Sequence, residues 1–330
     1  MVHAFDGSIR AGADFEALFG NTIASPVGSV AYQGLFMLMT VWVVKSGISS
    51  GIEKANRYMM PALFILFLLL AGRSLTLPDA MAGVSFLLKP DWSHLSPQTM
   101  LTALGQAFFA LSIGVSTMIT YAAYLDRKQD LCRSGHSIMW MNLLVSLLAG
   151  LVIFPAVFSF GFEPSQGPGL IFVVLPAVFM KLPLGNLLFA VFMLLVVFAT
   201  LTSAFSMLET VIAATIRENE SKRSSRTWII GTAIFIVGIP SALSFGLLGE
   251  MKLFGKTLFD LWDYMITALI MPIGALSVAV FVGWIQKKQA VLEHMREGIG
   301  VPQAVLSLWL YTLRFLAPVA IVLVFANTLG

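Results

Sequence analysis

Between Gly105 and Leu125 an apolar run, GQAFFALSIGVSTMITYAAYL, holds Gln106, Ser112, Gly114, Ser116 and Thr117. Hydroxyl and amide oxygens of this kind can replace the hydration shell of a small cation, and glycine lets the backbone unwind and offer its carbonyls for the same task. A second cluster lies in FATLTSAFSMLET, residues 198–210, where Thr200, Thr202, Ser203 and Ser206 crowd an otherwise apolar segment. Asn142 and Ser146 stand one helical turn apart, on one face. In FDLWDY, 259–264, Asp260 and Asp263 are three residues apart, and Glu209 closes the hydroxyl-rich stretch.

Each group also has a purely structural reading. Glycine and serine allow membrane helices to pack closely, and a lone asparagine serves as a hydrogen bond between helices. Hydroxyls in such helices bond back to the carbonyl one turn earlier. Carboxylates at a helix N-terminus, as at Asp260, stabilise the dipole, and Glu209 is solvated or internally bonded. Catalytic chemistry is harder to place. The single cysteine, Cys132, excludes an internal disulfide, and the four histidines (His3, His94, His136, His294) lack ligand spacing. No histidine, cysteine or carboxylate pair stands at membrane depth in a catalytic spacing. The residues therefore point away from an enzyme.

The elements that must position these groups are membrane helices. The chain has 330 residues, 58% hydrophobic and only 11% charged, with a mean hydropathy of +0.88. Soluble domains carry about 25% charged residues. Apolar runs of about 20 residues call for helices rather than a barrel. Eight spans are expected, at 28–46, 57–77, 98–125, 135–161, 184–217, 227–247, 257–286 and 303–329, with loops such as EPSQGPG (163–169) and KRSSR (222–226) between them. The net charge of +3 reflects loop lysines and arginines rather than nucleic-acid binding. Thirteen basic residues, among them Lys45, Lys54, Arg127, Lys128, Arg226 and Lys288, fall in one alternating set of loops and six in the other. The first set is placed in the cytoplasm, which leaves both chain ends outside. Residues 1–27 would then lie outside with no signal peptide to carry them, which favours helices missing upstream.

At these residues the chain resembles the neurotransmitter:sodium symporter family, the group of the bacterial leucine transporter. GQAFFALSIGVSTMITYAAYL is similar to the family's sixth helix, and VKSGISSGIEKANRYMMPALFILF (44–67) to its fourth-to-fifth junction. AGLVIFPAVFSFG (149–161), FATLTSAFSMLE (198–209) and GKTLFDLWDYMITALIMPIGAL (255–276) resemble the seventh, eighth and tenth. The resemblance implies an all-α, polytopic membrane protein with part of a leucine-transporter-type inverted-repeat fold. Residues 1–27 are then the remnant of an outer loop, and 28–330 are the family's helices four to eleven. It implies sodium-coupled symport of an apolar or aromatic amino acid, in a bacterial cytoplasmic (inner) membrane.

What the resemblance assigns to single residues is as follows. Phe109, Ala110, Ser112 and Val115, with Ser203 and Met207, line the substrate. The Ala199 carbonyl and the hydroxyls of Thr202 and Ser203 form the second sodium site, and Ala110 and Asn142 contribute to the first. Gln106, Asn142 and Ser146 stand where chloride-dependent members hold chloride. Asp263 matches the outer-gate aspartate. Ala110 replaces a hydroxyl residue usual at that sodium position, so only its carbonyl can serve there. Val115 stands where the leucine transporter has a phenylalanine, which enlarges the pocket. Helices one to three are absent from the alignment, so the chain alone is expected to be inactive in coupled transport. The alternative expectation is a binding or assembly subunit completed by a separate polypeptide.

Overall fold

The computed structural model describes residues 14–125, 129–161, 170–217, 219–296 and 303–329. The loop at 163–169, Arg127, Lys128 and the first half of the expected outer loop lie outside the described residues. Within them the regular elements are helices, apart from one antiparallel bridge between Leu253 and Lys256. The protein is an all-α membrane protein, as its backbone must be to satisfy its own polar groups in lipid.

In chain order α1 is Phe15–Ala24, α2 Pro26–Val44, α3 Glu53–Leu75, α4 Ala80–Leu88, α5 Pro97–Ala110 and α6 Thr117–Ala123. They are followed by α7 Leu131–Ser159, α8 Leu175–Met180, α9 Gly185–Ile216, α10 Arg223–Ala242, α11 Leu258–Ile285 and α12 Lys288–Arg296. The last, α13, runs from Gln303–Tyr311 through a π turn at Thr312–Leu316 to Ala317–Leu329. Local chemistry sets several starts. Asp14 caps α1 by accepting the Ala17 N–H at 2.9 Å, and α1 falls inside the segment read from sequence as an outer loop. Ser25 and Ser96 accept the N–H groups of Gly28 and Thr99 at 3.3 and 3.1 Å, each followed by a proline in the first turn, where no donor is lost.

Seven helices among the described residues are long and apolar enough to cross a membrane: α2, α3 with its π turn at Ile48–Ile52, α7, α9, α10 with the turn before it, α11 and α13. The third expected span, 98–125, is not one of them because it is broken into α5 and α6. α7 extends four residues before its expected start at 135, and α10 ends five residues before the expected 247.

The chain divides into two compact units, Met1–Pro90 with Leu144–Phe259, and Asp91–Leu143 with Asp260–Gly330. In the first unit α9 is the central element. α2 and α3 pack on it through Val41, Val44, Ile52, Leu201, Phe205, Leu208 and Ile212. A second cluster, with Phe67, Leu70, Val152, Val178, Phe179 and Phe192, joins α3, α8, α9 and the later part of α7. There the buried Ser74 hydroxyl donates to the Val152 carbonyl at 2.6 Å, tying α3 to α7. In the second unit α11 packs on α13, and α5 on α13, around Ala275, Ala279, Ile321 and Phe108.

A candidate solute and cation site

Most of the first group of polar residues belongs to the gap between α5 and α6, in the second unit. Ser112, Gly114 and Ser116 have φ of 53°, 95° and 62°. Left-handed conformations cost a residue with a β-carbon roughly 1–2 kcal/mol, so two serines there mark a backbone held open by its surroundings. Leu111, Ser112 and Ile113 donate their N–H groups back to Ala107, Phe109 and Phe108, at 3.0 Å each. Among the described residues, the carbonyls of Ala110, Leu111, Ser112 and Ile113 accept no backbone N–H in well-aligned hydrogen-bond geometry, the turn at 111–114 being closed at most by a weak contact. A run of free carbonyls in the middle of an apolar segment is what a dehydrated cation or a polar solute requires.

The gap is held open by α11. A β-carbon on Gly114 would collide with the Met271 carbonyl, and one on Gly274 would collide with the Gly114 carbonyl. The two main chains touch with no side chain between them. The close-packing reading of Gly114 and the broken-helix reading are therefore both correct: the same glycine turns the chain and seats it. Gly274 was not singled out from sequence, although the small residues of PIGA at 272–275 carried the signal. Beside the break lies a cavity of about 250 Å³, lined by Ser112, Gly114 and Ser116 together with Phe108, Ala275, Leu313 and other apolar side chains.

Of the other candidates in this unit, Phe109 is 52% exposed. Gln106 and Ala110 are also exposed, on the same face of α5 as Phe109, while Ser112 and Val115 are half-buried. Asn142 is half-buried, and Ser146, one turn further along the continuous α7 and already in the first unit, is exposed. Asp263 is exposed, and its backbone carbonyl accepts the Thr267 hydroxyl at 2.7 Å.

In the first unit, α9 is unbroken from Gly185 to Ile216. Thr200, Ser203 and Met207 recur at spacings of three and four on its exposed face. Thr202 and Ser203 both donate their hydroxyls to the Ala199 carbonyl, at 2.9 and 3.2 Å, so three hard oxygens gather on one turn. Thr200 and Ser206 bond to Val196 and Thr202 at 2.9 and 3.1 Å. The hydroxyls thus follow the back-bonding pattern of membrane helices, and at Ala199 that same pattern brings two hydroxyls onto one carbonyl. Glu209, at the end of the cluster, is fully buried. Arg223 of α10 bonds it at 2.7 Å and also bonds Glu220 at 2.5 Å.

Comparison with known proteins identifies the family of the chain. The family model for the sodium:neurotransmitter symporter family matches residues 17–329. An uncharacterised sodium-dependent transporter of Bacillus subtilis, YhdH, is 50% identical over 96% of this chain and 70% of its own length. An uncharacterised sodium-dependent transporter of Haemophilus influenzae is 34% identical over 92% of this chain and 66% of its own. The crystal structure of MhsT in complex with L-phenylalanine superimposes with a TM-score of 0.88 at 38% identity, over 99% of this chain and 74% of that one. The chain thus spans about two thirds to three quarters of the length of these relatives, and it belongs to the sodium:neurotransmitter symporter family.

Proposed function

We propose that this chain serves sodium-coupled symport of an apolar or aromatic amino acid across a bacterial cytoplasmic membrane. The observation that carries the reading is the opened backbone at 111–116, with its free carbonyls inside an apolar segment and its seat on α11. In this reading Phe109, Ala110, Ser112 and Val115 are substrate residues of the second unit, and Ser203 and Met207 are substrate residues of the first. One sodium ion is held by the Ala199 carbonyl with Thr202 and Ser203. Another meets the Ala110 carbonyl and Asn142; Gln106 and Asn142 of the second unit and Ser146 of the first are the chloride candidates, and Asp263 belongs to the outer gate. The aromatic preference draws on MhsT, solved with L-phenylalanine, and on the room left by Val115. Coupling follows from linkage: a cation that stabilises the arrangement binding solute best raises solute affinity, and the solute raises cation affinity equally.

The test joins this chain to the part of the Bacillus subtilis relative that lies outside the match, in proteoliposomes. Uptake of labelled phenylalanine is expected under an inward sodium gradient and not when choline replaces sodium. Equal uptake in both salts would overturn the proposal. The chain by itself, assayed in parallel, tests the expectation that it does not couple transport alone.

A further inference from the structure

Away from the candidate site, α2 and α10 pack side by side and leave a groove of about 250 Å³ between them. Its walls are Gly34, Met37, Leu38 and Val41 on one side and Trp228, Gly231, Thr232 and Phe235 on the other. All but Thr232 are apolar or glycine, and the two glycines let the helices approach closely at the groove's floor, Gly231 against Val41 and Gly34 against Phe235. Leu38, 53% exposed, stands at the rim. The end of α2 that the basic-loop count places in the cytoplasm carries Lys45. Its ammonium lies 3.5 Å from the centre of the Trp42 ring and 5.8 Å from that of Trp228, so Trp228 both lines the groove and stands beneath the charge. Lys45 is half-buried, and among the described residues no carboxylate pairs with it. The exposed Arg226 lies half a turn from Trp228 on α10.

A half-buried lysine without a counter-ion, beside two tryptophans at the membrane interface, calls for an anion. An apolar trench running away from it into the hydrocarbon calls for an acyl chain. From the middle of the groove at Leu38 to Lys45 the rise along the helix is about 10 Å, within the reach of one lipid from headgroup to mid-chain. We propose that this groove holds an anionic phospholipid of the cytoplasmic leaflet, its phosphate on Lys45 and one acyl chain between α2 and α10. The charge of the clamp selects the headgroup; the groove supplies the fit.

The purified chain, exchanged into mixed micelles with equal amounts of phosphatidylglycerol and phosphatidylcholine, is examined by native mass spectrometry. One phosphatidylglycerol per chain is expected to be retained preferentially. Lys45→Gln lowers that preference about five-fold, the effect of one interfacial cation on an anionic lipid, and Lys45→Arg keeps it. Thr232→Phe fills the groove from an exposed position and removes both lipids. Leu38→Trp repeats the block from the opposite wall should Thr232→Phe lower the yield of folded protein. The proposal is overturned if Lys45→Gln keeps the wild-type preference, or if both groove-filling variants still retain the lipid. Displacement by glycerol phosphate alone would mean a headgroup site without a chain, and retention of no lipid by the wild type would mean that something else covers the groove; either result overturns it too.

Discussion

At the scale of single residues the Ala199 carbonyl is the instructive atom, since it accepts two hydroxyls at once. Removing the Thr202 hydroxyl takes away one donor and leaves Ser203 in place, so Thr202→Ala should cost only about 1 kcal/mol of stability. Its effect on ion use should be larger. A ligand to a charge contributes about 1.5–3 kcal/mol, so the sodium concentration for half-maximal uptake by the fused protein should rise at least ten-fold. Ser203→Ala should act in the same direction. Thr200→Ala is the control, because that hydroxyl bonds Val196 and Val197 and its loss should leave the sodium dependence unchanged. A sodium titration of uptake separates these outcomes. The hydroxyl cluster was legible in the sequence, since four such residues in one apolar stretch stand out. The family resemblance named the Ala199 carbonyl beside them, but that both hydroxyls donate to it could not be read from sequence, because every helical turn offers several carbonyls within reach. Glu209 shows the same limit: its buried state became plain only once Arg223, fourteen positions on, was seen to fold back onto it.

At the scale of elements two arrangements invite perturbation. Arg223 binds one carboxylate inside α9, Glu209, and one in the α9–α10 connection, Glu220, with only 6% of its own side chain exposed. Arg223→Met would take the guanidinium from the buried Glu209 carboxylate, at a cost of about 3–5 kcal/mol, read as a lowered melting temperature in detergent. The reciprocal Glu209→Gln keeps a hydrogen-bond acceptor and should be milder. The second arrangement is the opened backbone between α5 and α6. A methyl on Gly274 must displace the Gly114 carbonyl, and overpacking of this kind costs about 1–3 kcal/mol. Gly274→Ala should therefore lower both the melting temperature and uptake, whereas Gly72→Ala, at a glycine facing open space, should do neither. The break itself could be read from GQAFFALSIGVSTMITYAAYL, because residues poor in helix propensity gather there. The π turns at Phe281–Ile285 in α11 and at Thr312–Leu316 in α13 could not. They depend on packing between distant segments, where the Arg314 side chain bonds the Gly283 carbonyl and the Trp284 ring N–H donates to the Arg314 carbonyl at 3.1 Å.

At the scale of the whole molecule, the membrane topology has a built-in probe. Cys132 is the single cysteine of the chain and stands at the start of α7, at the end assigned to the cytoplasm by Arg127, Lys128 and Arg133. A membrane-impermeant maleimide should label it in inside-out vesicles and leave it untouched in intact cells; the opposite pattern would invert the assignment. Hydropathy alone carried most of the architecture, because a lipid environment forces long apolar helices whatever their partners are. It could not supply the short helices α1, α4, α8 and α12, whose lengths fall below a span and whose places depend on what they pack against. One feature of the second unit reaches further than its own stability. Where Gly114 rests on Gly274, peptide plane meets peptide plane, with no rotamer available to absorb a displacement. A tilt of α11 would therefore pass to the opened segment without lost motion, as between two parts of a hinge pinned at one point.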